Sequence, residues 1–519
     1  MKTLLQLMLG LALCSGITSC KKQLQEVVPQ DQISLSEALT NAGAAQTLYT
    51  GVYAELRTYT GVLFQLGEMR SEIWTDGIYT ESADPTYANL YDQNIGALNV
   101  PEANWAGFYN LIYQINNVIY VFPQCPLPVA QRTQELAEMY GLRAYIYYAM
   151  LQTWGGVPLI TAPITTVGNA AQTYTPRSTP DSVMLQIKSD INQSLTLYNG
   201  SNTVVSGTHA YWNRLCTLIL EGDVYDWSGT TLGGGTTANP ADLTTAETAL
   251  QQVENLQSAS LELNPTYSDI FNSTKKSNNP EIIFALNFEL NQAQNTYFSE
   301  FLVNSSNGLG YLVAPNAGAQ VVVGSSGLYP YVAGSDRIGM NQAMVTKLTA
   351  DSTDQRIGST FQFMYSKTAP YPLVGMMLKK YIGVVNGTSQ LYNNDYPIYR
   401  YADVLLLLAE VKNKLGQDPS PEINLIRQRA HGASYVPYVN SGGNANTLAI
   451  LEEELREYIG EGKRWFGLRR AGDQWVYNYV NSKYLNAGTV ASATGPNFLL
   501  PISVSMLNND PTLVQTPGY

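Results

Sequence analysis

Leu66 to Gly77 runs LGEMRSEIWTDG and sets Glu68, Glu72 and Asp76 four residues apart. Two carboxylates roughly 5–10 Å apart are enough for glycoside hydrolysis. On a helix this spacing puts all three acids on one face, where like charges repel. With Arg70 among them, the plainer reading is a solvated or salt-bridged face. A second concentration of charge is Leu455 to Asp473, LREYIGEGKRWFGLRRAGD. It holds five cations (Arg456, Lys463, Arg464, Arg469, Arg470) and three acids (Glu457, Glu461, Asp473), with aromatics between. Nucleic acid, an active site and a buried structural network could each use such a cluster.

Other catalytic groupings are missing. The two histidines, His209 and His431, form no His-Glu-x-x-His or Cys/His cluster, so a metal site of that type is not expected. No Gly-x-Ser-x-Gly elbow occurs. Gly460 to Arg464 lacks the Ser or Thr and the first glycine of a phosphate loop. No cofactor is implied.

Charge narrows the partners. Lys plus Arg is 29 and Asp plus Glu is 41, a net charge of −12 over 519 residues. Nucleic-acid binders gather positive charge, so that class is excluded, as is charge-driven attachment to anionic lipid. Tyrosine, at 36 against 12 Phe, supplies flat apolar rings with a polar handle. Of four cysteines, Cys14 and Cys20 lie in the first twenty residues. Cys125 and Cys216 are expected as unpaired, partly buried thiols.

The chain begins MKTLLQLMLGLALCSGITSC. Lys2, the apolar Leu4 to Leu13 and the small residues after it have the three-part form of a secretory signal peptide. The apolar run is shorter than the ~20 residues that span a bilayer. Ile17-Thr18-Ser19-Cys20 resembles a lipobox, although Thr18 stands where Ser or Ala is commoner. Residues 1–19 are thus expected as a signal peptide, with Cys20 acylated. Residues 20–35 are then a tether, and several acyl chains would anchor the protein stably.

Helical periodicity dominates the chain beyond this tether. Residues 36–58, 104–122, 131–154, 180–198, 209–228, 398–416, 420–431 and 447–463 carry apolar residues at helical spacing. They fall into tetratricopeptide-like pairs without a regular 34-residue repeat. Glu281 to Phe288 and Ala319 to Gly324 look like strands, and 290–345 look loop-rich. Long loops on a rigid scaffold commonly carry binding sites. Gly229 to Pro240 looks like a flexible surface insertion.

Leu448, Leu451, Leu455 and Tyr458/Ile459 share a helical face leading into the cationic stretch, and Gly460 and Gly462 end that helix. Acids and cations interleave there, so Glu457 or Glu461 could answer Arg464 and Arg469. The cluster is therefore expected to be scaffold.

The same stretch resembles the C-terminal hallmark of the SusD/RagB family, Arg-x-x-Glu-x-x-x-Glu-Gly-x-Arg-Trp-x-x-Leu-x-Arg-x-Gly. It departs in placing Tyr458 and Ile459 before Gly460-Glu461-Gly462. YPIYRYADVLLLLAEVKNKLG (396–416), INLIRQRAHG (423–432) and the ending LPISVSMLNNDPTLVQTPGY also resemble family segments. So do WAGFYNLIYQINNVI and LRAYIYYAMLQTWGGVPLI in the N-terminal half. The resemblance implies a mostly α fold with a tetratricopeptide-like scaffold and a loop-rich, short-strand ligand face. It implies an N-terminal part, 36–230, interwoven with a C-terminal part, 260–519. It further implies an outer-membrane lipoprotein that binds nutrient oligomers, usually glycan, without catalysis. Such proteins deliver their cargo to a SusC-like TonB-dependent transporter. Peptide cargo is the alternative, and a surface glycoside hydrolase the remoter one.

Sugars present apolar C–H faces and rings of hydroxyls, so a binder needs aromatic platforms among Asn, Asp, Gln and Arg. Residues 66–94 and 290–331 hold that mixture. Arg70, Trp74, Tyr87, Asn89, Tyr91, Tyr297 and Tyr329 are the candidate contacts. Metabolic labelling with radioactive palmitate is expected to mark the chain. An unmarked chain that fractionates with periplasmic contents would refute the anchor at Cys20.

Overall fold

The computed structural model describes residues 33–77, 84–164, 174–202, 209–230, 235–276, 279–303, 311–312, 334–386, 389–484 and 498–519. Cys20, Tyr329, the Ala319–Gly324 strand and the centre of the Gly229–Pro240 insertion lie outside these residues.

The helical spacing forms where it is strongest. Helices α1 (Ala42–Thr58), α2 (Ala106–Val121), α3 (Val129–Trp154), α4 (Pro180–Tyr198), α5 (Arg214–Gly229) and α6 (Asp242–Glu254) pack each on the next. α6 is not among the helices that the spacing marks. It then packs on α7 (Tyr401–Lys414), which carries α8 (Ser420–His431) and α9 (Gly443–Tyr458). Helix starts are set by side chains that accept from otherwise unpaired backbone N–H groups. Asn41 accepts from Gly43 and Ala44, Thr179 from Ser182, and Asn213 from Leu215 and Cys216. Gly155, at φ +74°, takes the chain out of α3 into a conformation other residues resist. The architecture is mostly α, with tetratricopeptide-like pairs joined into one core cluster running from Ala38 to Ile502.

Strands are few and short. β1 (Trp74–Asp76) pairs antiparallel with β3 (Ile338–Met340), and β2 (Ile282–Leu286) with β4 (Tyr396–Arg400). β4 takes the start of the apolar run that the spacing predicts as helix from 398. The helix starts only at Tyr401, because the Asp403 carboxylate accepts from the Arg400 N–H and caps it there. Leu448 is 45% exposed on α9, while Leu451, Leu455, Tyr458 and Ile459 are buried. Cys125 and Cys216 are unpaired and both buried. No helix among the described residues is long and apolar enough to cross a membrane.

The charged hallmark is scaffold, but its partners are not the ones nearest in sequence. Arg400, with no exposed surface, donates to Glu281 at 2.6 Å, Glu457 at 2.6 Å and Glu461 at 2.9 Å. Arg356 and Arg429 also reach Glu457, and Lys380 reaches Glu461 at 2.8 Å. Arg464 goes instead to Glu72 at 2.6 Å, and Arg469 to the Gln152 carbonyl. Arg470 gathers Asp223, Glu410 and Glu454. Arg356, Arg400, Arg464 and Arg470 are each matched by carboxylates, as burial demands.

This pairing fixes a pH dependence. Burial opposes ionisation of Glu461, but Arg400, Lys380 and Lys463 outweigh it and hold its pKa at about 2. Glu457 is depressed likewise, against its own burial, by Arg429, Arg400 and Arg356. Their stabilisation is present above the unfolded value of 4.5 and is lost as pH falls towards 2. Burial pushes Glu68, Glu102 and Glu221 up to about 7 and Glu138 to about 8. The unfolded chain ionises these groups first, so stability declines as pH rises from 4.5 through 7. Urea midpoints measured across pH are expected to peak near 4.5 and fall on both sides.

Candidate ligand-binding face

The three acids of the 66–77 stretch do not share a helix face. Gln65–Met69 is a π turn, a form that collects at functional and strained positions. It turns Glu68 inward, where its carboxylate accepts from the Gly460 and Gly462 N–H groups, both at 2.8 Å, and from Trp74 Nε1 at 3.2 Å. Burial is what lifts its pKa to about 7. Gly67 permits the approach, since a Cβ there would lie 1.6 Å from the Gly462 carbonyl oxygen. Glu72 holds Arg464, and Asp76 leaves on β1. Two of the three are thus buried ties to the hallmark rather than a solvated face, and Arg70 partners neither.

Trp74 is 1% exposed. Its ring packs 4.9 Å from Phe301 and 6.0 Å from Phe64. Tyr297 is half-buried against the same block, 5.7 Å from Phe64. Tyr91 is buried and donates to Asp76. Arg70 donates to Gln93 at 3.0 Å and to the Phe498 carbonyl at 2.7 Å, and stacks 4.2 Å from the Trp465 ring centre. Tyr87 is buried as well, and burial beside Glu300 pushes its hydroxyl up to about 12. At this point the surface is reached: Arg337, its side chain 50% exposed, lies between Asp84 at 3.3 Å and Glu300 at 3.4 Å. The structure therefore brings Trp74, Tyr87, Tyr91 and Tyr297 into one neighbourhood. Trp74, Tyr91 and Arg70 are not exposed platforms there; apolar packing and inward hydrogen bonds hold their rings and charge inside.

Asn89 lies on the other side of the same helix, Pro85–Tyr91. There it lines an open groove of about 710 Å³ with Thr86, Leu98, Asn99, Asn104, Ser503 and Ser505. Asn89 donates to the Pro85 carbonyl at 2.9 Å and to the Asn99 carbonyl at 2.6 Å. It accepts from Asn94, which in turn accepts from Asn99 through its carbonyl. The far wall is the C-terminal segment, bound by Ser503 N–H to the Ala103 carbonyl and Val504 N–H to the Ala97 carbonyl. Asn99 Oδ1 is buried and accepts no hydrogen bond from the described residues. Leu98, 87% exposed, stands at the rim. Among the described residues, none that lines the groove is charged. Asn99, Asn104, Ser503 and Ser505 are not candidates on sequence grounds; no local motif marks them, and the two serines lie some 400 residues from Asn104. Among the described residues, no three His, Cys, Asp or Glu side chains are placed to hold a metal ion.

A profile described as the SusD family matches residues 280–519, and one described as starch-binding associating with outer membrane matches residues 25–210. A SusD superfamily protein from Bacteroides fragilis is 30% identical and superposes with a TM-score of 0.80, covering 92% of this chain and 99% of its own. The chain belongs to the SusD/RagB family. Among its family relatives, SusD-like protein P38 of Formosa agariphila is 27% identical over 97% of this chain and 96% of its own. NanU of B. fragilis has 32% identity and a TM-score of 0.82, over 95% of this chain and 99% of NanU. The helical scaffold and its buried hallmark are thus the frame of a SusD-family fold.

Because Trp74 is core, Trp74→Ala is expected to cost about 3–5 kcal/mol of stability, the usual range for a buried large aromatic. Equilibrium urea denaturation checks it; a midpoint equal to wild type would return Trp74 to the surface.

Proposed function

We propose that this protein is an outer-membrane lipoprotein that captures nutrient oligomers, most often glycan, and passes them to a SusC-like TonB-dependent transporter. Family membership supports nutrient binding, and the starch-binding, outer-membrane description of the profile at residues 25–210 supports the cargo class and location. The acyl anchor at Cys20, outward orientation and transporter partner rest on the leader sequence and the family resemblance.

The observation that carries the cargo class is the groove beside Asn89. It offers carboxamides and hydroxyls with no charge, beside the apolar Leu98, Val100 and Val504. A neutral sugar has the matching chemistry: hydroxyls to donate and accept, and C–H faces to lie on apolar side chains. A peptide would bring backbone amides and, commonly, charged side chains that find no counter-charge in this lining. Arg337, on the other side of the same helix, extends the polar surface, and Tyr87, Trp74, Tyr91, Tyr297 and Arg70 support it from beneath. Binding without cleavage is the reading that the family resemblance supports, and Glu68 and Glu72, two of the acids a hydrolase could draw from the 66–77 stretch, are committed to the hallmark.

Calorimetry of residues 21–519 against polysaccharide and peptide panels is expected to show binding to a glycan, little weakened by salt. Asn99→Ala and Asn104→Ala are each expected to weaken it by about tenfold, equivalent to ~1.4 kcal/mol. Binding only to peptides would assign the alternative cargo. Chromatography of the recovered glycan is expected to show no cleavage product.

A further inference from the structure

A second space lies inside the scaffold, away from the groove. It is a chamber of about 100 Å³ under the 461–470 segment. Its wall is drawn from distant parts of the chain: Tyr145 and Gln152 of α3, Asp223 of α5, Tyr399 of β4, and Glu454 and Tyr458 of α9. Tyr399, Tyr458, Gln152 and Glu454 are all more than nine-tenths buried.

Several polar heads on this wall have no protein partner among the described residues. The hydroxyls of Tyr145 and Tyr399 feel the carboxylates of Asp223 and Asp403 but make no direct hydrogen bond to either. The Tyr458 hydroxyl is fully occluded and likewise unbonded. Glu454 uses one carboxylate oxygen for Arg470 at 3.1 Å. Asp223 uses Oδ1 for both Tyr148, at 2.9 Å, and Arg470, at 3.2 Å. The second oxygen of each acid has no such bond. Tyr145 keeps some accessible surface, yet burial still drives its hydroxyl pKa upward. It lines the chamber alongside Tyr399 and Asp223. These heads line one space, and among the described residues the Tyr145 and Tyr399 hydroxyls make no hydrogen bond to the acids beside them.

A buried hydroxyl or carboxylate oxygen left without a partner is costly. A polar cavity of this size, whose heads can offer each guest two to four hydrogen bonds, is where internal water resides; apolar cavities stay dry. We propose that the chamber is a built hydration site that holds several water molecules. These waters bridge Tyr145 and Tyr399 to Asp223 and Glu454, and so join α3, α5, β4 and α9 at the point where the two profile-matched halves of the chain meet. The inference stands apart from the glycan reading and survives its failure.

A high-resolution crystal structure of residues 21–519 tests it. Ordered waters within hydrogen-bond distance of Tyr145 Oη, Tyr399 Oη and Glu454 Oε2 are expected. A dry chamber, or rings collapsed onto one another, would overturn it. An anomalous peak at the same place in rubidium-soaked crystals would overturn it in favour of a cation. Solution data give an independent outcome, because Tyr145→Phe and Tyr399→Phe keep the ring and the fold. If water satisfies these hydroxyls, each substitution lowers the urea midpoint. Removing a hydroxyl from a dry chamber would leave the midpoint unchanged or raise it, and that result in both variants sinks the proposal.

Discussion

Arg400 is the constraint around which the molecule is arranged. A guanidinium with no exposed surface cannot be left unpaired, because the cost of an uncompensated buried charge exceeds the stabilisation most single contacts supply. Its five donors are met by Glu281, Glu457 and Glu461, which come from two stretches far apart in the chain. Satisfying that one side chain therefore seats β4, α9 and the strand leading from Glu281 against one another. Arg356, Lys380 and Arg429 close the shell from outside. Fork geometry matters here, since a lysine at position 400 could not address three carboxylates from one planar group.

The network also reaches the ligand face through a short mechanical chain. Glu461 is fixed by Arg400, and the glycines on either side of it donate to Glu68. Glu68 holds the indole N–H of Trp74, and Trp74 opens the strand that pairs with Ile338–Met340. Arg337 immediately precedes that partner strand and carries the exposed charge between Asp84 and Glu300. A buried ion cluster thus sets the position of a surface cation through a handful of contacts. The π turn is needed because a regular helical turn would not bring Gly67 flush against the Gly462 carbonyl.

Local rules explain what can be seen in the sequence. Caps at Asn41, Thr179 and Asn213, and apolar spacing along α2, α3 and α4, are short-range effects, so those helices are legible. The Cys125 and Cys216 thiols are also readable, since a small unpaired hydrophobe belongs inside. Long-range pairing is not legible in this way. Glu72 and Arg464 meet across nearly 400 residues, and nothing near either predicts the other. For the same reason sequence proximity points Glu457 and Glu461 to Arg464 and Arg469, whereas both acids serve Arg400. Trp74 and Tyr91 show a second limit: composition identifies an aromatic and polar neighbourhood, but not which rings face out. Asn89 does line a surface groove, yet that groove closes only when the C-terminal Ser503 and Val504 dock on 97–103.

The distribution of charge then bears on cargo. The body is acidic overall, yet its cations are spent internally: Arg356, Arg400, Arg464 and Arg470 all lie in buried pairs. The described lining of the groove carries no charge of either sign. Affinity there must come from many weak, directional hydrogen bonds and from apolar contact, each worth about 1 kcal/mol or less. A short ligand would gather too few of them to hold. An oligomer repeating the same hydroxyl pattern along an open groove gathers enough, which is what the proposed glycan reading requires.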